Sequence, residues 1–408
     1  MNQSVPPGTE YPFAPLPVPE AVEHLRRVMA DRPMTKVTMP HGGDVWLVHR
    51  NQAARQVLTD PRFVREPFRT GEREVPFVVP FPDFLRTTLQ FEDPPQHTKL
   101  RKLVQKAISP RRVREMRASA VAFANELIDD MAARGGVRDL VPEYAVSLPV
   151  EMLSSLLGVP SSDRAKFEQW SSSTLAVAGK SEEEVAADMG ELAVYMSDLI
   201  ARRREEPQND LLSALAHARD RDDTLTDAEI LPIAFILIVG GFDNTANFLG
   251  TGVLSLLRSE EQRAVFMSDP DGLAPTAVEE ILRHGAAVAA PVMAGGGGLV
   301  PFVATEDVEV DGRVIAAGEA VSIDPSSTGH DTEAFEDPGR FDITRKDNPH
   351  LMLSHGLHHC LGAPLARMEL QVGVAELFKR LPGLRLAGEP QYRLDVLTRP
   401  MSSLPVAW

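Results

Sequence analysis

Hydrophobic positions recur at three-to-four spacing from about Pro19 to Leu282, which is the spacing of amphipathic helices. Pro and Gly residues interrupt this pattern and divide it into separate segments. The same spacing returns near the end of the chain. The pattern therefore predicts a mainly α-helical protein. The segments that carry it most clearly are Gln96–Ala107, Arg112–Ala133, Glu182–Glu205, Ala228–Leu257 and Ala363–Arg380.

A small β region interrupts the helical pattern. Between Leu299 and Ile323 the period changes to two, with β-branched residues such as Val308 and Val310 at alternate positions. Asp311-Gly312 stands where a two-residue hairpin turn would lie. We expect this β region to fall within about residues 299–345, after the flexible connector Gly295–Gly298.

The rest of the chain predicts one domain with an N-terminal arm. Residues 1–18 are rich in Pro and lack the basic and apolar regions of a signal peptide, whereas residues 19–408 predict a single catalytic domain. Glu72–Phe91 has no helical period and predicts a long, functional loop. The most apolar run, Ile230–Val239, is about half the length of a membrane span, so we expect no transmembrane helix.

Composition narrows the possible functions. The chain is 43% hydrophobic and 25% charged, as in ordinary globular proteins. Its 42 Lys and Arg residues against 58 Asp and Glu residues give a net charge of −16, which disfavours general nucleic-acid binding. Cys360 is the only cysteine, which excludes an internal disulfide and makes the cytoplasm the expected location.

The only cysteine lies in a segment rich in His and Gly, residues 355–364. Four of the eleven histidines lie between His350 and His359. A zinc site is one interpretation, although zinc usually takes four ligands from separated elements. A second is a single axial thiolate on haem iron, with glycines that let the backbone approach the macrocycle. The third is a buried, inert cysteine.

A second group of unusual residues, Gly240–Thr245, falls inside a predicted helix. Two adjacent glycines in a helix interior cost roughly 1 kcal/mol each relative to alanine. Close approach of a flat ligand or a local widening of the helix would explain them. Asp243 could then be a proton source beside a small-molecule groove, or it could hold a simple helix kink.

A third group consists of charged residues. Glu280 and Arg283 are three residues apart and share a helix face, which allows an ion pair. Most such pairs are solvated and contribute little. The run Phe335–Phe341 contains Arg340, which could bring a second guanidinium to the same carboxylate.

Together these motifs make the chain similar to the cytochromes P-450 of the soluble bacterial type, from about Pro61 to Leu386. This resemblance implies that Cys360 is the axial haem ligand and that Glu280, Arg283 and Arg340 form a structural triad. It also implies two sets of site residues. The expected haem contacts are His97, Arg101, His358, Cys360 and Gly362, and the expected catalytic residues are Gly241, Asp243, Asn244 and Thr245.

The resemblance further implies a fold, a cofactor and partners. The fold would be a triangular prism, mainly α with a small β region, that encloses haem b between the helix of Gly240–Thr245 and the Cys360 loop. O2 would be the co-substrate, and the thiolate would favour O–O cleavage. Electrons would come from a ferredoxin and a ferredoxin reductase. Lys102 or Arg367 could dock an acidic ferredoxin.

Three positions depart from the family pattern. Asn244 replaces the usual threonine, and a regular helix would point Thr245 about 100° away, so we do not expect Thr245 to substitute. Phe302 stands where an arginine would bind a haem propionate. Leu353 stands where the haem loop usually has phenylalanine.

The predicted reaction is oxidation of a small, largely apolar organic molecule, as in natural-product tailoring. Oxidative C–C or C–N coupling without oxygen insertion is an alternative that suits the missing hydroxyl. Two further alternatives are a non-enzymatic haem-thiolate binder or sensor and a zinc protein. The expected pocket residues are Phe77, Phe81, Phe84, Phe242, Val288 and Met293.

Overall fold

The computed structural model describes residues 33–39, 41–77, 83–163, 166–167, 169–170, 181–220, 223–289, 300–393 and 400–408. The predicted arm at residues 1–18 and the glycine connector at residues 295–298 lie outside these ranges. By their internal contacts the residues form two compact units, residues 1–96 with 279–360 (unit 1) and residues 97–278 with 361–408 (unit 2). The single catalytic domain stays a prediction.

The described residues are mainly helical, as the hydrophobic spacing predicts. The helices are α1 (Asn51–Thr59), α2 (Glu66–Arg69), α3 (Gln96–Ala107), α4 (Pro110–Arg134), α5 (Ser147–Leu157), α6 (Glu182–Glu205), α7 (Leu211–Ala216), α8 (Asp227–Gly241), α9 (Asp243–Arg258), α10 (Glu260–Ser268), α11 (Pro270–Ala289), α12 (Pro325–Thr328) and α13 (Ala363–Arg380).

The strands are short. They are β1 (Met34–Met39), β2 (Gly43–Val48), β3 (Phe63–Val64), β4 (Arg138–Asp139), β5 (Arg219–Asp220), β6 (Asp223–Thr224), β7 (Phe302–Ala304), β8 (Val308–Val310), β9 (Arg313–Ile315), β10 (Ala320–Ile323), β11 (Arg385–Leu386), β12 (Gln391–Tyr392), β13 (Met401–Ser403) and β14 (Pro405–Ala407).

Local sequence explains where the long helices begin. The Ser109 side chain accepts a hydrogen bond from the backbone of Arg112 at the start of α4. At the start of α6, Ser181 and Glu184 form a reciprocal capping box. Helices α3, α6 and α13 have the predicted bounds. The predicted helix Ala228–Leu257 is two helices, α8 and α9, which are separated at Phe242.

Unit 1 contains a five-stranded sheet in the order β1-β2-β10-β7-β3. Strand β2 pairs antiparallel with β1 and parallel with β10. The prediction of mostly helical structure from Pro19 to Leu282 is wrong for β1, β2 and β3. These strands have two to six residues, so their period-two signal is brief beside the helical segments that follow.

The predicted hairpin in the β region is confirmed. Strands β8 and β9 pair antiparallel, and Asp311 and Gly312 both have positive φ, 48° and 72°. Positive φ at both central residues is the requirement of a type I′ turn. Residues Val310 and Ile315 of this hairpin enter the same buried core as Phe302 of β7.

Unit 2 is helical with small sheets. Helix α13 packs along α4 and against α9. A Cβ at Gly373 of α13 would lie 3.0 Å from the Leu249 side chain, so any larger residue would require that side chain to shift. The Tyr144 hydroxyl donates a hydrogen bond to the Gly373 carbonyl oxygen at 2.7 Å. Strands β11, β14 and β4 form one sheet, and β12 pairs with β13.

One described helical stretch, Asp227–Arg258, meets the length and composition of a membrane span, and 41% of its most apolar window is buried. The core helix of a soluble protein meets the same criteria, so this observation alone is weak evidence for a span.

Candidate functional site

The loop that carries Cys360 is held by its own backbone. The Cys360 N–H donates to the Leu353 carbonyl oxygen at 2.9 Å, and the His359 N–H donates to the Gly356 carbonyl oxygen at 3.1 Å. Ser354 and Gly356 have φ of 62° and 64°. These tight turns present Cys360 half-exposed rather than buried in the core.

Gly356 fixes this loop against α1. A Cβ at Gly356 would lie 2.5 Å from the Leu58 carbonyl oxygen and 3.0 Å from the Thr59 methyl group. Its positive φ disfavours any side chain as well. Both the backbone conformation and the close approach therefore require glycine here.

The histidines of this segment contact different partners. His350 Nε2 lies 3.0 Å from Glu279 Oε2, and His355 Nδ1 lies 3.4 Å from Arg55 Nη1. The pKa of His355 is lowered, mainly by burial and to a smaller extent by the positive charge of Arg55. Among the described residues no group of three or more His, Cys, Asp or Glu side chains is placed to hold a metal ion. The zinc alternative has no site in this part of the chain.

His358 instead packs against an aromatic ring. Its imidazole centre lies 5.9 Å from the Phe302 ring centre, with an interplanar angle of 62°. The guanidinium of Arg65, which is buried, lies 4.1 Å from the centre of the same Phe302 ring. Phe302 and His358 are among the residues singled out from sequence. Arg65 is not, because nothing near it in the sequence indicates that it is buried.

Glu280 and Arg283 form an ion pair that is fully buried. Arg283 Nη2 lies 2.6 Å from Glu280 Oε1, and Arg283 Nε lies 2.8 Å from Glu280 Oε2. Arg283 also donates to the carbonyl oxygens of Gly329, Pro338 and Arg340. These bonds compensate the burial of both charges and tie α11 to the segment around residue 338.

Further groups bind the same carboxylate. Arg345 Nε lies 3.3 Å from Glu280 Oε2, and Asn348 Nδ2 donates to that oxygen at 3.1 Å. Arg340 is the residue predicted from sequence to contact Glu280, and Arg345 was not predicted. The Arg340 carbonyl oxygen accepts a hydrogen bond from Arg283. The role of the Arg340 side chain in the structural triad stays a prediction.

In unit 2, the predicted long helix is interrupted within Gly240–Thr245, the second group of unusual residues. Helix α8 ends at Gly241 and α9 begins at Asp243, with Phe242 between them. The Thr245 hydroxyl donates to the Gly241 carbonyl oxygen at 3.1 Å, and Asn244 Nδ2 donates to the Gly240 carbonyl oxygen at 3.4 Å. The prediction of one regular helix is wrong here. The rotation of 100° between successive residues of a regular helix therefore cannot be used to predict the direction of the Thr245 side chain.

The two glycines are not required by packing within unit 2. A Cβ at Gly240 would meet no atom within 4 Å, and one at Gly241 would only touch Leu153 at 3.4 Å. Thr245 is buried, whereas Asp243 and Asn244 are half-buried. Among the described residues, only the Leu153 side chain lies within 4 Å of the Cβ position of either glycine.

The other predicted haem contacts of unit 2 lie on α3 and directly before α13. His97 and Arg101 are one turn apart on α3; His97 is buried and Arg101 is half-buried. Gly362 precedes α13, and its carbonyl oxygen accepts from the Ala366 N–H at 2.9 Å. Their contacts with haem stay predictions.

Of the predicted pocket residues, Phe77 and Phe242 are buried. Phe81 and Met293 lie outside the described residues, as do the side chains of Phe84 and Val288. The pocket therefore stays a prediction.

The donor set of the Cys360 loop fits haem. It offers one half-exposed thiol on a backbone that is turned tightly at Gly356, and two nearby histidines, His350 and His355, contact Glu279 and Arg55. One thiolate on an accessible loop suits an axial position on haem iron, whereas a structural metal ion would need several ligands at one point.

Comparisons with known proteins identify the family. The family model described as Cytochrome P-450 matches residues 293–382. The chain is 41% identical over 382 residues to nocardicin C N-oxygenase of Nocardia uniformis subsp. tsuyamanensis, covering 93% of each protein. It is 42% identical over 380 residues to mycinamicin IV hydroxylase/epoxidase of Micromonospora griseorubida, covering 92% of each.

A solved structure extends the likeness to the fold. The crystal structure of a cytochrome P-450 with biaryl coupling reactivity matches with a TM-score of 0.86 at 33% identity, covering 94% of this chain and 96% of that one. The predicted fold class, mainly α with a small β region, is confirmed. The chain belongs to the cytochrome P-450 family and is an oxidoreductase of the monooxygenase type that uses haem iron and O2.

Proposed function

We propose that this enzyme oxygenates a small, largely apolar natural product in the cytoplasm, with Cys360 as the axial ligand of haem b. A ferredoxin and its ferredoxin reductase supply the electrons. The observation that carries the proposal is the Cys360 loop, where the only thiol of the chain is held half-exposed by backbone bonds and by the fit of Gly356 against α1.

The relatives support the class of substrate. Their printed names describe N-oxygenation of nocardicin C and hydroxylation or epoxidation of mycinamicin IV, and each covers more than nine-tenths of this chain. Both names refer to small organic molecules, which favours natural-product tailoring here. These named enzyme activities also favour an oxygenase over the haem-thiolate sensor.

Bound haem supplies the oxygen-activating chemistry, and its thiolate ligand favours O–O cleavage. The protein must deliver protons beside it. We assign this task to Asp243 and Thr245, with Gly241 leaving room at the helix break. The Thr245 hydroxyl donates to the Gly241 carbonyl oxygen, so its lone pairs remain able to accept a proton. Asn244, an amide and a poor relay, positions water or substrate.

Three side chains are proposed to bind haem propionates, namely His97, Arg101 and His358. On α3 the i,i+4 spacing places His97 and Arg101 on one helix face. His358 lies in the Cys360 loop and packs on Phe302. Gly362 leaves the backbone before α13 free of a side chain. The pocket residues named above remain the proposed substrate contacts.

Oxidative coupling is the second candidate function. Two observations favour it: Asn244 replaces the relay threonine, and a solved relative has biaryl coupling reactivity. Products formed under labelled O2 would separate the two reactions. Incorporated label would support oxygenation, and an unlabelled product with a new C–C or C–N bond would support coupling.

The first prediction concerns the ligand. Ferrous wild-type protein with carbon monoxide should show the strongly red-shifted Soret band of haem-thiolate ligation, and Cys360→Ser should lose it because the hydroxyl is a poor substitute for a thiolate. Leu357→Ala, an exposed change in the same loop, is the matched control and should keep the band. A band that persists in Cys360→Ser would refute the assignment.

A further inference from the structure

A buried arginine is fixed behind the phenylalanine that departs from the family pattern. Arg65 follows β3 and is 1% exposed. Its Nη1 and Nη2 atoms donate to the carbonyl oxygens of Gln90, at 2.8 Å, and Val300, at 3.0 Å. Its own backbone N–H donates to Asp93 Oδ2 at 2.8 Å. The guanidinium is therefore held in one place, against one face of Phe302.

The charge of Arg65 persists in this position. Burial lowers its pKa to about 9, and Asp93 opposes that shift. Arg65 is therefore protonated at neutral pH. A cation within about 6 Å of an aromatic ring centre is attracted to the ring face, more strongly when water is excluded. This attraction fixes the orientation of the Phe302 ring, which is itself 3% exposed.

His358 also packs against Phe302. The two rings meet edge to face at 5.9 Å, which is a favourable geometry for aromatic pairs. Arg65, Phe302 and His358 thus form a continuous stack, in which all three residues belong to unit 1. His358 is the end of the stack nearest to Cys360 along the chain.

We propose that Phe302, braced by Arg65, is a positioning residue that holds the His358 imidazole for a haem propionate. The stack takes the place of a direct contact from an arginine at position 302. An arginine would bind the carboxylate through two parallel hydrogen bonds, which fix its direction. A single imidazole bond lacks that constraint, so packing against Phe302 contributes to the orientation of the ring. This inference rests on the proposed function, because it requires bound haem.

The test is the rate of haem release from the ferric holoenzyme to an excess of apomyoglobin. Phe302→Leu removes the ring and should raise this rate roughly two- to tenfold, the range expected for one aromatic pair. Phe63→Leu is the matched control, since it removes a buried ring from β3 of the same sheet, and it should release haem like the wild type. If Phe302→Leu does not fold, Phe302→Met replaces it in the test, because methionine is closer in volume to phenylalanine.

A double-mutant cycle separates positioning from general loosening of the sheet. In a His358→Ala background, Phe302→Leu should leave the release rate unchanged, because the residue it positions is gone. Arg65→Lys keeps a charge but loses the planar guanidinium, and it should raise the release rate by less than Phe302→Leu.

Failure of the positioning role can be distinguished from failure of the proposed function. A wild-type protein without the thiolate band removes the proposed function and this inference together. An intact band with wild-type haem release in Phe302→Leu overturns the positioning role alone. Equal acceleration in both backgrounds, or equal acceleration by Phe63→Leu, also overturns it.

Discussion

At the scale of single residues, Glu369 is a carboxylic acid buried in a helical interior. It lies on α13 in unit 2 and is 2% exposed. Its burial raises its pKa well above the usual range, because the charged form loses its hydration. The folded protein therefore favours the protonated acid, and ionising it opposes folding.

This burial makes stability depend on pH. The contribution of Glu369 is fully present below its unfolded pKa of about 4.3, and it is lost as pH rises toward the raised folded pKa. Glu369→Gln keeps the shape without an ionisable group. Urea unfolding from about pH 5 to about pH 8 should show the free energy of unfolding of Glu369→Gln rising relative to wild type.

Glu389→Gln is the control for this comparison, because the Glu389 side chain is exposed. The difference in free energy of unfolding between this variant and the wild type should change little over the same pH range. A stability difference between Glu369→Gln and wild type that is constant across this range would show that Glu369 does not titrate with folding.

The residue scale also shows what sequence can predict of the site. The pair Glu280 and Arg283 was predicted from helical spacing alone. Its complete burial and its link to Arg345 were not, because those depend on residues about 60 positions away that only the fold brings near. Arg65 was missed for the same reason, since its partners Val300 and Phe302 lie far along the chain.

At the scale of elements, the contact between the Cys360 loop and α1 depends on Gly356. Gly356→Ala should lower the haem content of the purified protein, because the added Cβ meets the Leu58 carbonyl oxygen. Gly312→Ala is the matched control. Its φ is also positive, at 72°, but a Cβ there has nothing within 4 Å.

Both changes add strain of roughly 1–2 kcal/mol from the left-handed backbone. Only Gly356→Ala adds a clash and displaces the loop. The measurement is haem absorbance per protein in haem-supplied preparations. Equal haem content in the two variants would contradict a specific role for this contact.

Element prediction succeeded where a strong local signal exists. Helices α3, α6 and α13 follow from hydrophobic spacing, and the β8–β9 turn follows from Asp311-Gly312. Strands β1 to β3 were missed because they have only two to six residues, so their period-two signal is brief. The distant pairing of β2 with β10 and of β3 with β7 leaves no local signal either. The break at Phe242 was also missed, since its flanking sequence is apolar enough for one continuous helix.

At the scale of the whole molecule, the net charge of −16 opposes approach of an acidic ferredoxin. Local basic side chains would then have to guide docking. Lys102 is exposed on α3 and Arg367 is half-buried on α13, and both belong to unit 2. For the proposed ferredoxin, the local charge distribution would then matter more than the total charge of the protein.

Lys102→Ala and Arg367→Ala should each lower the rate of haem reduction by an acidic ferredoxin, by roughly two- to tenfold at low ionic strength. Added salt should shrink this difference, because it screens the attraction. Stopped-flow experiments on samples with matched haem content measure the rate of haem reduction. Lys346→Ala, an exposed change in unit 1, is the control. Unchanged rates in both variants would exclude these residues from docking.

The division of the chain into two units affects its synthesis on the ribosome. Each unit joins two stretches that are far apart in sequence: residues 1–96 must wait for residues 279–360, and residues 97–278 for residues 361–408. The parallel pairing of β2 with β10 cannot form until Ala320–Ile323 have left the exit tunnel. The nascent polypeptide thus completes neither core early. A premature stop codon before residue 360 would leave both units incomplete, whereas one after residue 360 would truncate unit 2 alone.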